Sequence, residues 1–242
     1  MTIQQVSIRT LPNLYPDTQD VYSVTVNGAP INTVVTKDAA TVDHWIEQIY
    51  SDYKETLEDC AKKDSTKRFL VALDVEWKPA AFASKYDYPP VAILKLCVGG
   101  DRCLIFQILR SFQFPKSLHR FLDDDNLRFV GVGIEDVAFR LENEFNLCVK
   151  RAVDLRDLVA EKYPRMEDEF IQILDLMELA KVVFRFREIE RPKDVSLSNW
   201  NQKYLTREQI MYAVVDPYVS SRIGDQLGYV CGPYDGSVTI LD

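Results

Sequence analysis

Histidine is scarce in this 242-residue chain, which has two, and none of its five cysteines forms a C-x-x-C pair. An odd, unpaired cysteine count argues against a disulfide framework, and the missing metal spacing argues against a zinc finger. Cys97 and Cys103 sit in strand-like runs and read as small core residues. No apolar run reaches the roughly 18 residues of a membrane span, and "MTIQQVSIRT" has no apolar signal core. The expectation is an intracellular chain without a membrane partner, with nucleus and cytoplasm both open. Positive charge is also short. There are 29 basic residues against 37 acidic, a formal net charge of −8. That argues against coating duplex nucleic acid through an overall field, while leaving room for a local groove with metal ions in it. Internal repeats, low-complexity tracts and a convincing domain linker are missing too.

What is present suits a substantial core. Hydrophobic residues make up 47% of the chain, and a domain of this length buries about 70–75% of its unfolded surface. "VYSVTVNGAPINTVVT" (21–36) alternates around Asn27-Gly28 and predicts a β-hairpin. "ATVDHWIEQIYSDYKETLEDCAKK" has helical spacing, and "AKKDSTKR" (61–68) is a polar link. Three strands follow, "FLVALDVEW", "PVAILKLCVGG" and "RCLIFQIL", with "GGD" turning between the last two. "PKSLHRFLDDD" reads as a short helix and "LRFVGVG" as a buried strand. The remainder is helical in spacing: "EDVAFRLENEF", "DLRDLVAEKY", "FIQILDLMELAKVVF" and "TREQIMYAVVDPYVSSRIGDQL". Three adjacent strands and then strand–helix alternation predict a mixed sheet flanked by helices.

Two carboxylates interrupt this apolar pattern. Strand alternation puts Asp74 and Glu76 of "LDVEW" on one face. Two unpaired ionised groups there would be costly to desolvate and would repel each other. A cation must compensate, and with so few histidines the donor chemistry suits Mg²⁺ or Mn²⁺. A D-x-E pair also marks many strands with one solvated face. Tyr212 and Asp216, four apart on a predicted helix, share a face; a buried tyrosine above a surface acid would look the same. Glu135-Asp136 opens the helix after "FVGVG", where acids favour the helix dipole whatever else they do.

In their order along the chain these stretches resemble the DEDDy group of 3′–5′ exonucleases, and within it the Werner-syndrome-like exonucleases. "LDVEW" is similar to the first motif and "VAILKLCVGGDRCLIFQI" to the strand pair after it. "FVGVGIEDVAFRL" resembles the second motif and "LSNWNQKYLTREQIMYAVVDPY" the third. The resemblance spans roughly residues 68–228. It implies an α/β, ribonuclease H-like mixed sheet flanked by helices. The whole chain, 1–242, would be one 3′–5′ exonuclease domain, with the N-terminal hairpin and helix as an extension over 1–66, as in small stand-alone plant-type members.

The resemblance also assigns chemistry. Asp74, Glu76, Asp136 and Asp216 would bind two Mg²⁺ or Mn²⁺ ions about 3.5–4 Å apart, with Asp74 bridging. Tyr212 would orient the attacking water rather than act as a bulk base. The products would be nucleoside 5′-monophosphates from single-stranded RNA or DNA 3′ ends. RNA is modestly preferred, because small relatives include RNA-clearing enzymes that form ring-shaped homo-oligomers. A homo-oligomer or paralogue subunits are the implied protein partners. Trp77 is expected in the core and Trp200 as a brace for the third-motif helix. Lys78 and Arg207 could meet phosphates, or be plain surface cations. The basic stretch "RFREIERPK" (185–193) could guide a strand, or be a solvated loop.

Two departures bear on activity. The family's second motif reads I-E-x-D-x-x-[KR]-L; in "IEDVAFRL" Val137 stands where the acid belongs and Asp136 is one residue early. One helical residue turns a side chain by about 100°, so Asp136 reaches the metals only through a bulge or a shifted helix start. Pro217 follows Asp216 and is expected to kink the third-motif helix. These features leave a second function open: a catalytically weakened or inactive relative that binds nucleic-acid ends or forms oligomers.

Overall fold

A computed structural model describes residues 6–62, 68–77, 89–184, 189 and 191–228. Lys78 and residues 185–188 and 190 of the basic stretch 185–193 lie outside the described residues, as do most of the polar link at 61–68 and Cys231. Among the described residues, eight strands form one sheet: β1 (Val6–Thr10), β2 (Gln19–Val26), β3 (Ala29–Thr36), β4 (Phe69–Trp77), β5 (Val91–Val98), β6 (Arg102–Phe106), β7 (Leu127–Gly131) and β8 (Ala152–Asp154). Their order is β1-β2-β3-β6-β5-β4-β7-β8. The joins β3–β6, β4–β7 and β7–β8 are parallel and the others antiparallel. The sheet is mixed, as the strand and helix order implied.

The hairpin forms where expected, and it extends the central sheet rather than standing apart. Asn27 (φ 48) and Gly28 (φ 87) both take positive φ, as a tight two-residue hairpin turn requires. β1 and β8 are extra edge strands with little sequence signal: one is half polar and the other is three residues long.

Helices cover both faces. On one side lie α1 (Ala39–Asp52), α2 (Lys54–Lys62), α3 (Lys116–Leu122) and α4 (Ile134–Phe145). Val42, Trp45, Ile46, Phe121 and Leu141 from this layer pack on Phe69, Val71, Leu73 and Val75 of β4. On the other side are α5 (Leu155–Lys162), α6 (Asp168–Gln172), α7 (Leu176–Val183), α8 (Lys193–Ser196) and α9 (Arg207–Leu227). Here Leu158, Leu179, Ala213, Val214 and Ile223 pack on Leu70 and Ala72 of β4 and on Ile93 and Cys97 of β5. Strand alternation thus gives each central strand two apolar faces and two separate cores. No described helix is long and apolar enough to cross a membrane.

Two helices expected as continuous are broken, each for a local reason. The first stops at Asp52, where Tyr53 turns its ring onto Phe69 (centroids 4.9 Å apart). The "FIQILDLMELAKVVF" helix divides because Asp175 caps α7. Its carboxylate accepts from the Glu178 N–H while Glu178 accepts from the Asp175 N–H, the reciprocal pairing of a capping box.

α9 is the longest helix, and it crosses the sheet closely at Gly224. A Cβ there would come within 2.5 Å of Leu70 Cδ1. The helix runs unbroken through Pro217, which is buried within it. Proline removes one N–H, and packing along nearly the whole helix outweighs that loss. Trp77 corrects the core expectation. It sits at the end of β4, past a register shift at Glu76/Trp77, and is 38% exposed with the Arg140 guanidinium 4.1 Å above its ring.

Asp225, near the end of α9, carries a buried charge. Burial pushes its carboxyl up to about 6, against the attraction of Arg222 at 3.4 Å. Its folded-state pKa lies above the unfolded one, so the protonated form favours folding and that contribution is lost as pH rises through about 6. Asp225→Asn should therefore melt above wild type at pH 7.5, by up to about 3 kcal/mol. In thermal unfolding followed by circular dichroism, the gap should fall to about half at pH 5 and close near pH 4, the unfolded-state value.

Candidate active site

β4 changes character halfway. Leu70 and Ala72 point into the α9-side core, and the next two positions on that face are Asp74 and Glu76. The antiparallel register sets Asp74 directly opposite Lys95 of β5, where cross-strand side chains meet. Lys95 is fully buried. Its ammonium lies 2.5 Å from Asp74 Oδ2 and donates to Glu76 Oε1 at 2.8 Å.

The third acid comes from α9. Asp216 is buried, and its Oδ2 accepts from Arg191 Nη2 at 2.8 Å. Its Oδ1 is buried with no hydrogen-bond partner among the described residues. Tyr212, one turn earlier on the same face, lies 3.5 Å from Arg191 Nη2 through its hydroxyl. The segment before α9 holds this face in place. Trp200 is buried, donates its indole N–H to the Ser196 carbonyl at 3.0 Å, and packs on Tyr212 with ring centroids 5.8 Å apart. Gln209 joins the capping box with Thr206 and donates to Ser198 Oγ at 2.8 Å. Trp200 thus packs as the brace the sequence suggested. Arg207 is engaged structurally, donating to the Ile8 carbonyl and Thr10 Oγ1 of β1.

The electrostatics are those of a crowded acidic cluster held by two cations. Burial alone would lower the Lys95 pKa; Asp74, Glu76 and Asp216 outweigh it and keep the ammonium protonated. Glu76 is pushed up to about 7 by burial and by Asp74 and Asp216, against Lys95. Asp216 is pushed up to about 6 by burial and Asp74, against Lys95 and Arg191. Burial also raises the Tyr212 phenol, reinforced by Asp216 and Glu76 and opposed by Arg191. It therefore keeps its proton near neutral pH, while its oxygen accepts from Arg191.

Asp136 is not part of this group. It is exposed in the first turn of α4, within electrostatic reach of Arg156. The start of α4 is pinned: Gly133 takes φ 68, and its N–H donates to Asp154 Oδ2 at 2.7 Å. With that start, Val137 is the residue turned inward, buried among Leu73, Ile134 and Leu141. A shifted helix start, which would bring Asp136 round, is not what the chain adopts.

Residues 48–230 match the family model for the 3′-5′ exonuclease domain. This chain belongs to the 3′-5′ exonuclease family. It is similar to the mouse bifunctional 3′-5′ exonuclease/ATP-dependent helicase WRN, at 30% identity over 66% of this chain and 11% of that protein. It is also similar to a 3′-5′ exonuclease of Arabidopsis thaliana, at 30% identity over 66% of this chain and 52% of the relative. The chain thus spans about half, or far less, of these relatives' lengths. Among solved structures, Escherichia coli RNase D shares the fold, with a TM-score of 0.52 at 16% identity over 71% of this chain and 41% of that one.

Among the described residues, no three histidine, cysteine, aspartate or glutamate side chains are grouped to hold a metal as they stand. The donor chemistry nevertheless fits one hard cation. Among the described residues Asp216 Oδ1 is a buried oxygen without a partner, the Asp74 side chain is 29% exposed, and the acids repel one another.

Sequence reasoning missed Lys95 and the role of Arg191. Lys95 had a signal, as the single charged residue in "VAILKLCV", but its partner emerges only once the β4–β5 register is known. Arg191 lay inside a stretch read as basic overall, with nothing local to connect it to Asp216. Removing one member of a buried charge cluster costs about 3–5 kcal/mol, because the partner is left uncompensated. Lys95→Met should therefore lower the free energy of urea unfolding at pH 8 by about 3 kcal/mol. Adding Asp74→Asn to that variant should restore part of the loss.

Proposed function

We propose that this chain is a metal-dependent 3′–5′ exonuclease that releases nucleoside 5′-monophosphates from single-stranded nucleic-acid ends. The observation that carries the reading is the facing of Asp74 and Glu76 on β4 towards Asp216 and Tyr212 on α9, around Lys95. Asp74, Glu76 and Asp216 would hold a divalent ion, Mg²⁺ or Mn²⁺. When bound, such an ion supplies Lewis-acid polarisation of a phosphoryl oxygen and a nucleophile at neutral pH. Tyr212, protonated and braced by Trp200, would position the attacking water through its hydroxyl. Arg191 spans Tyr212 and Asp216 with its side chain 32% exposed, so it can meet a phosphate oxygen as well. Water adds at phosphorus in line with the 3′-oxygen of the preceding nucleotide, which leaves, so the phosphate stays on the 5′ side of the released unit.

RNA is the proposed preferred substrate, following the resemblance to small RNA-clearing relatives; contacts to the 2′-hydroxyl would supply the discrimination. With a net charge of −8 the chain has little long-range attraction for a strand, and a neighbouring subunit, either a second copy or a paralogue, would help to hold the substrate.

A second reading has its own observation. Val137 is buried in the position the family gives to an acid, and Lys95 already engages both acids of the D-x-E pair. These favour a relative that binds 3′ ends with weakened or lost hydrolysis. Single-stranded RNA and DNA labelled at the 5′ end separate the two readings. The exonuclease reading expects stepwise 3′ shortening with Mn²⁺, abolished by chelation and reduced about 10³-fold or more by Asp74→Ala. Tyr212→Phe should lower kcat by about 10²-fold with KM little changed. Retained binding without shortening at enzyme excess would establish the second reading instead.

A further inference from the structure

Lys95 does something a surface lysine cannot. It is wholly enclosed, it is the residue directly opposite Asp74, and its ammonium touches both acids of the D-x-E pair. We infer that the Lys95 ammonium is a built-in cation standing in for one of two divalent ions, so that this site takes up one ion and not two. The inference rests on the exonuclease reading for its substrate, and on geometry for its count.

Space is the first argument. A second ion about 4 Å from the first would share Asp74 and draw on a further acid. The ammonium already occupies the ground between Asp74 and Glu76. The nearest sequence candidate for the further acid, Asp136, is exposed on α4, and Val137 fills the inward position.

Charge is the second. Asp74, Glu76 and Asp216 bring three negative charges, and a bound phosphodiester brings a fourth. Lys95 and Arg191 supply two positive charges within ion-pair distance of those acids. One divalent ion completes the balance. A second would leave an excess of positive charge in a site whose acids are largely buried, and Coulomb repulsion from the fixed ammonium would act on it directly.

The third is orientation. Glu76 and Asp74 each give an oxygen to Lys95, while Asp216 keeps a buried oxygen without a partner among the described residues. The acceptor left to a metal is therefore on the α9 side, next to Tyr212 and Arg191.

The test counts ions on the full chain. Mn²⁺ is titrated alone and again with a nucleoside 5′-monophosphate, and free Mn²⁺ is followed by its paramagnetic resonance signal. Wild type should saturate at one ion per chain. Lys95→Gln, which removes the charge and keeps a polar chain, should bind Mn²⁺ about tenfold more tightly or accept a second ion, whereas Lys95→Arg should retain the single site. Two ions on the wild type, or none under both conditions, would overturn the inference. So would a Lys95→Gln variant unchanged in both affinity and count. If Lys95→Gln does not fold, the wild-type count decides alone. One ion without any digestion would end the exonuclease reading and leave this inference standing; digestion with two ions would do the reverse.

Discussion

A lysine ammonium buried between two carboxylates is the constraint around which the centre of this molecule is arranged. Isolated, any of these charges would be prohibitively expensive to take out of water. Together, Lys95, Asp74 and Glu76 are tolerable only because the β4–β5 register brings them within hydrogen-bonding distance. A one-residue slip would turn Asp74 and Glu76 into the opposite core, among Phe121, Leu141 and Val137. The polar cluster therefore stabilises little by itself and specifies a great deal. It makes one strand pairing acceptable and its neighbours unacceptable. The same requirement reaches α9, whose Asp216 acts on Lys95 from across the layer. Close helix–sheet approach at Gly224 and the capping network of Trp200, Thr206 and Gln209 fix where that acid lies.

The fold was legible wherever a periodic pattern and a turn signal coincided. Asn27-Gly28 between alternating strands, and Gly99-Gly100, both at positive φ between β5 and β6, are cases in which local chemistry and global topology agree. It was less legible where a polar residue inside a helical pattern acts as a cap. Asp175 looks like one more exposed helical acid until the start of α7 is seen to depend on it. Trp77 misled because alternation was carried one residue too far, past the register shift between Glu76 and Trp77 in the β4–β5 pairing.

The site was half legible. Spacing alone puts Asp74 with Glu76 and Tyr212 with Asp216, because both pairs lie within one element. What joins them is long-range. Lys95 is 19 residues from Glu76, and Arg191 is 25 from Asp216; sequence carries no local trace of such pairings. The need for a cation was inferable from the carboxylates, but its identity was not. Divalent ions and a buried ammonium answer the same electrostatic demand, and only the register distinguishes them.

Val137 and Lys95 become related once the structure is in view. Val137 in place of an acid removes one negative charge from the expected set, and its burial shows that the position has joined the apolar core rather than remained a vacant polar socket. Lys95 adds one positive charge to the face shared by the remaining acids. Each change alone would unbalance the charge of a site proposed to hold two divalent ions. Taken together they shift the local charge by two units in the same direction, which is the charge of one such ion. The α4 helix start, fixed by Gly133 and Asp154, holds Asp136 in the exposed first turn and Val137 in the core.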